Sequence, residues 1–129
     1  MTSFVRNIAF DCSDAYAMAR FWSAVTGQPL ADDDKPGDPV AVVTLADGTR
    51  LYFAQVPESK VVKNRLHLCM QPHEDRDGEV RRLLGLGAAM LDDRRQPDGT
   101  GWAVLTDPEG NEFCVVRSAQ EYAHTPPGE

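Results

Sequence analysis

"WAVLTDPEG" (residues 102–110) reads as a second copy of "VAVVTLADG" (residues 40–48). At an offset of 62, Ala41, Val42, Thr44 and Gly48 meet Ala103, Val104, Thr106 and Gly110. Four identities in nine positions mark an internal repeat. Each copy ends in a turn signal, Asp47-Gly48 in the first and Asp107-Pro108-Glu109-Gly110 in the second. Each therefore opens a hairpin, over 40–56 and over 102–117. Toward the N-terminus the offset becomes 60, setting Gly27 on Gly87 and Ile8 and Phe10 on Leu68 and Met70. The apolar face of a strand at 4–12 thus matches that of a strand at 64–70, where Leu66, Leu68 and Met70 share one side and Arg65, His67 and Cys69 the other. A one-residue slip would invert every side chain, so this parity sets the register.

Helical periodicity follows each of these strands. In "SDAYAMARFWSAVTG" (13–27), Ala15, Met18, Ala19, Trp22 and Val25 recur at helical spacing. Ser13 or Asp14 can cap its start, and Gly27 can take the left-handed conformation that ends it. "DRDGEVRRLLGLG" (75–87) predicts a second helix with Val80, Leu83 and Leu84 inward and Gly87 as its stop. "ADDDKPGDP" (31–39) and "QPDGTG" (96–101) read as loops, and "AAMLDDRR" (88–95) as an edge strand. The order is strand, helix, three strands, twice over. It predicts an α+β fold of two βαβββ modules, about 4–57 and 63–117, in one domain over 1–117. A polar, Pro-rich tail at 118–129, ordered only in part, follows.

The composition narrows the function classes. A chain of 129 residues with 42 % apolar content suits a single globular domain. A net charge of −7 argues against nucleic acid and against anionic membranes, both of which need a cationic surface. No run of 18 apolar residues is present, so no membrane span is expected. The N-terminus shows no basic segment followed by a long apolar core, and the three cysteines make an odd count. Reduced thiols in a cytoplasmic protein are the expectation.

One stretch carries chemistry. "KNRLHLCMQPHED" (63–75) places His67, Cys69 and His73, all metal-ligand types, within seven residues. The segments "ARFW" (19–22), "KNRLHL" (63–68) and "DPEGNEFCVV" (107–116), set in two βαβββ modules, resemble the vicinal oxygen chelate superfamily over about residues 4–117. That group includes glyoxalase I, extradiol dioxygenases, bleomycin-resistance proteins and small glyoxalase-like domain proteins, and the chain looks most like the last. The resemblance implies one cupped mixed sheet with helices on its outer face and a ligand held in the cup.

Metal-using members of the superfamily hold a divalent ion with one residue from the first and one from the last strand of each module, drawn from His, Gln and Glu. Carried onto this sequence, those positions are Asn7, Tyr52, His67 and Cys114. One imidazole remains and no carboxylate. Glu112 lies two residues early, in line with Arg50, where the rim is expected. Mn²⁺, Fe²⁺ and Ni²⁺ sites of this kind use imidazole with carboxylate oxygen, and Tyr is a good ligand only as phenolate. Zinc would find His67 and Cys114, fewer protein ligands than its sites use. The resemblance therefore implies a degenerate metal site with no cofactor, a divalent metal being the alternative. The expected ligand-binding residues are Asn7, Tyr52, His67, Cys69, Trp102 and Cys114. They would hold a small, partly aromatic or apolar metabolite or drug, in the manner of bleomycin resistance. The alternative is a lyase- or dioxygenase-type enzyme, metal-dependent or not. In a metal-free version His67 acts as general base with Tyr52 or Cys114 in support. Trp22 is expected in the core, His73 in solvent, and Lys63 and Arg65 at the mouth, where they could meet an anionic group. A homodimer is expected from the resemblance and from open sheet edges.

Overall fold

The computed structural model describes residues 1–125, so the last four residues of the predicted tail lie outside the described residues. The chain forms two compact units, Met1–Val61 and Val62–Glu129. Among the described residues no helix is long and apolar enough to cross a membrane.

The first unit holds β1 (Asn7–Cys12), α1 (Ala15–Thr26), β2 (Val40–Thr44) and β3 (Arg50–Gln55). Its sheet has the order β1-β3-β2, with β1 parallel to β3 and β2 antiparallel to it. Strand alternation divides the side chains between two faces. Ile8, Leu51 and Val43 form one row across the sheet and Phe10, Phe53 and Ala41 the next. These rows face α1, whose Met18, Trp22 and Val25 are buried; Phe10 stacks 4.8 Å from Phe53 and 5.5 Å from Trp22. Asp14 caps α1 by accepting a hydrogen bond from the Ala17 N–H, and Gly27 closes it at φ 74°. The opposite face carries the rows Asn7–Arg50–Thr44 and Ala9–Tyr52–Val42. The strand expected between α1 and β2 is reduced to a single antiparallel bridge, Leu30 to Val43. Beside it the Asp34 carboxylate accepts the Val42 N–H at 2.8 Å, a side chain standing in for a neighbouring strand.

The second unit holds β4 (Leu68–Met70), α2 (Arg76–Leu86), β5 (Ala89–Asp93), β6 (Ala103–Thr106), β7 (Glu112–Val115) and α3 (Ala119–His124). Its sheet order is β4-β7-β6-β5, with only β4 and β7 parallel. The repeat is visible in the ladders themselves. Ile8 opposite Leu51 becomes Leu68 opposite Phe113, and Val42 opposite Tyr52 becomes Val104 opposite Cys114. The lone bridge from Leu30 to Val43 corresponds to Met90 opposite Leu105. Both units are therefore βαβββ modules, the first with one strand shrunk to a bridging residue.

Three expectations are corrected. The strand predicted at 64–70 begins only at Leu68, and Leu66 is 90 % exposed. The Asn64 N–H donates to Glu112 Oε1 at 2.9 Å and its side-chain amide to Asn111 at 3.1 Å, so side chains from the end of the β6–β7 turn and the start of β7 replace the missing ladder bonds. Leu84 is 39 % exposed, because α2 packs along a narrow stripe of Arg76, Val80 and Leu83. The segment after residue 117 contains a helix that the sequence reading missed. Ser118 and Glu121 form a reciprocal capping box that opens α3.

Arg76 fixes the loop between β5 and β6. This buried guanidinium donates from Nη1 to the carbonyls of Gly99, Thr100 and Gly101 at 2.9–3.2 Å, and from Nε to Asp77 at 3.0 Å. Gly101 sits at φ +87°, where a Cβ would lie 2.0 Å from the Arg94 carbonyl oxygen. No residue with a side chain fits there.

Candidate ligand pocket and thiol–imidazole cluster

The face of the second sheet that carries Cys114 is set by alternation. Leu68, Met70, Phe113, Val115, Ala103 and Leu105 point one way, toward the core. Cys69, Cys114, Val104 and Asp92 form a single row across all four strands on the other face. His67 precedes Cys69 by two residues and lies just before β4. This face forms an open pocket of about 360 Å³ lined by His67, Cys69, Cys114, Trp102, Val104 and Val116, with charged groups from β5, β7 and Lys63 around them. All of these residues belong to the second module.

His67, Cys69 and Cys114 are drawn together within it. The Cys114 thiol lies 3.8 Å from His67 Nδ1, and the ligand atoms of the three residues all lie within 4.8 Å of one another. Among the described residues this is the one group of three or more His, Cys, Asp or Glu side chains placed to share an ion. Cys114 is buried, whereas His67 and Cys69 are exposed. Sequence reasoning named all three residues for the pocket but counted only His67 and Cys114 as ligands for an ion, with Cys69 as a pocket wall. The i, i+2 spacing put His67 and Cys69 on one strand face, and the β4–β7 register sets Cys114 opposite Cys69.

Asn7 and Tyr52 lie in the first module. Tyr52 lines a separate pocket of about 570 Å³ with Asp33, Asp34, Val42 and Arg50, and the Arg50 guanidinium lies 5.9 Å from its ring centroid. Asn7 stands opposite Arg50 on the same face and is exposed. Trp22 is in the core at 1 % exposure, and His73 is exposed. Glu112, expected at the rim, is instead 8 % exposed and engaged by the Asn64 N–H.

A family model for the glyoxalase-like domain matches residues 7–116. The chain belongs to the glyoxalase-like domain family. With that membership it falls in the vicinal oxygen chelate superfamily. A solved glyoxalase/bleomycin resistance protein/dioxygenase family enzyme from Burkholderia phytofirmans shares 18% identity, with 88% of this chain and 97% of that one covered, at a TM-score of 0.67. A genomically encoded fosfomycin resistance protein from Listeria monocytogenes gives 18% identity over 94% of this chain and 96% of its own, at a TM-score of 0.69. An oxidase gives 20% identity over 91% and 94%, at 0.64. At these identities the likeness is one of fold. No curated protein sequence matches the chain.

The hard-ion chemistry of the superfamily does not fit the donors that this glyoxalase-like protein supplies. Asn7, Tyr52, His67 and Cys114 include one imidazole and no carboxylate. The expectation of no cofactor rested on that count. The thiol pair beside His67 is a different donor set.

Proposed function

We propose that this glyoxalase-like protein binds a small, partly aromatic or apolar metabolite or drug in the pocket of its second module. The observation that carries this reading is the convergence of His67 and Cys114 on an apolar-walled cavity on the face of the sheet turned away from its core. Apolar walls supply affinity and a few fixed polar atoms supply orientation, the usual division of labour in small-molecule sites. Trp102 contributes a large flat surface, suited to a planar ligand. The Listeria neighbour, named for fosfomycin resistance, supports a drug-type ligand on this fold. Native mass spectrometry of the protein against a metabolite and antibiotic panel, with a chelator present throughout, tests the reading. One ligand per chain is expected, with His67→Ala weakening it about tenfold or more as one polar contact is lost. Binding that His67→Ala and Trp102→Ala both leave unchanged would place the ligand elsewhere.

The contact between the Cys114 thiol and His67 favours a second reading, a metal-free lyase-type enzyme with His67 as general base and Cys114 in support. Turnover that survives in both His67→Gln and Cys114→Ser would eliminate it. The protein is further proposed to act in the cytoplasm as a homodimer. The odd count of three cysteines supports the first and the exposed apolar side chains Phe4, Val61 and Leu66 the second. Light scattering that gives the 14.2 kDa mass of one chain would contradict the dimer.

A further inference from the structure

We infer that His67, Cys69 and Cys114 form a binding site for a soft, thiophilic divalent ion of the zinc class, contained wholly within the second module. The backbone dictates the arrangement. Cys69 and Cys114 stand directly opposite each other on parallel neighbouring strands, which run about 4.8 Å apart, so their thiols leave the sheet side by side. His67, two residues before Cys69, brings its ring to the same face. A tetrahedral ion with Zn–S of 2.3 Å and Zn–N of 2.0–2.1 Å needs donors roughly 3.6–3.8 Å apart. The Cys114–His67 separation is 3.8 Å, and no pair in the cluster exceeds 4.8 Å. The exposed members therefore have to shift by about 1 Å at most to close around an ion.

Donor chemistry selects the ion. Two thiolates and an imidazole prefer zinc and other soft ions over Mn²⁺ or Mg²⁺. Each thiol loses its proton to solvent on ligation, so binding strengthens as pH rises. Three protein donors leave the fourth position open to the pocket, the arrangement of zinc sites that accept an outside ligand. The set differs from the one the superfamily resemblance implies. It recruits Cys69, uses no carboxylate and requires neither Asn7 nor Tyr52.

This inference does not rest on the proposed small-molecule function, because it is tested with no organic ligand present. The full chain, reduced and metal-free, is titrated with Co²⁺ and then with Zn²⁺. The expected result is one Co²⁺ per chain with a sulfur-to-metal charge-transfer band in the near ultraviolet, displaced by Zn²⁺. Cys69 is exposed, so Cys69→Ser leaves the fold unchanged and is the deciding variant. It should lose part of the band and weaken binding by more than the roughly 10–100-fold cost of losing an outer-sphere partner. His67→Ala should weaken binding comparably while retaining thiolate absorption. Absence of Co²⁺ binding, Co²⁺ binding without the charge-transfer band, or an unaltered Cys69→Ser titration would overturn the site.

Discussion

Ala9 and Cys69 hold equivalent places in the two copies of the repeat, and so do Tyr52 and Cys114. The backbone register is the same, yet one pair is a methyl beside a phenol and the other is two thiols. Chemistry at this site is thus a matter of two side chains on a shared scaffold. The same scale governs stability. Leu105 is fully buried on the core side of the row that carries Val104 and Cys114. Leu105→Ala should cost about 2–5 kcal/mol in denaturant unfolding, through lost transfer energy and the cavity left behind. Asp93 offers a test in pH. The Arg95 guanidinium, hydrogen-bonded to it at 2.8 Å, holds its carboxyl down from 3.8 to about 2. A depressed folded-state value contributes stability that is full above pH 3.8 and fades as pH falls toward 2. With Arg95→Gln the Asp93 midpoint, followed by carboxyl-carbon NMR, should return toward 3.8. An unmoved midpoint would show that Arg95 is not the cause.

At the scale of elements, the structure depends on caps and clamps as much as on the sheet. Arg76 serves three consecutive-residue carbonyls of the 99–101 loop, and Glu121 at the start of α3 accepts the Arg76 N–H at 2.8 Å. Arg76→Leu removes the donor from all three buried carbonyls. It should destabilise by roughly 3–5 kcal/mol. Arg76→Lys should recover little, because an ammonium does not reproduce the guanidinium fork. Gly101→Ala should be comparably damaging, since its Cβ would strike backbone rather than a movable side chain. The elements themselves were legible from sequence where a period and a cap agreed, as in α1 with Asp14 and Gly27. They were missed where the partner is distant in sequence. The strand at 64–70 read as continuous because alternation cannot reveal that Glu112 and Asn111 claim the Asn64 donors from 47–48 residues away. α3 carried its signal in Ser118 and Glu121, but the polar composition around them concealed it. Its hold on the fold comes from Glu121 and from Tyr122, whose ring lies 4.2 Å from the Arg117 guanidinium. The thiol cluster was half legible for a related reason. Spacing placed His67 and Cys69 on one face, but only the β4–β7 register brings Cys114 opposite Cys69.

For the whole molecule, duplication of one module explains why two offsets in the sequence suffice to reproduce every strand pairing shared by the modules. It also exposes what the first copy gave up. Where the second module has the five-residue β5, the first has one bridging residue and then the acidic loop. A strand without a neighbour displays a ladder of donors and acceptors that any other extended chain can read. In β2 the donor at Val42 is instead satisfied by a carboxylate. A carboxylate ends the ladder, because it accepts a hydrogen bond and offers none onward, and its charge repels a second acidic chain. Asp34 thereby acts as a chain terminator for β-sheet growth. Asp34→Ala should leave the walls of the second module's pocket in place while making concentrated solutions slowly turbid and reactive to fibril-sensing dyes. Clear solutions at the same concentration would assign that guard to Leu30 alone.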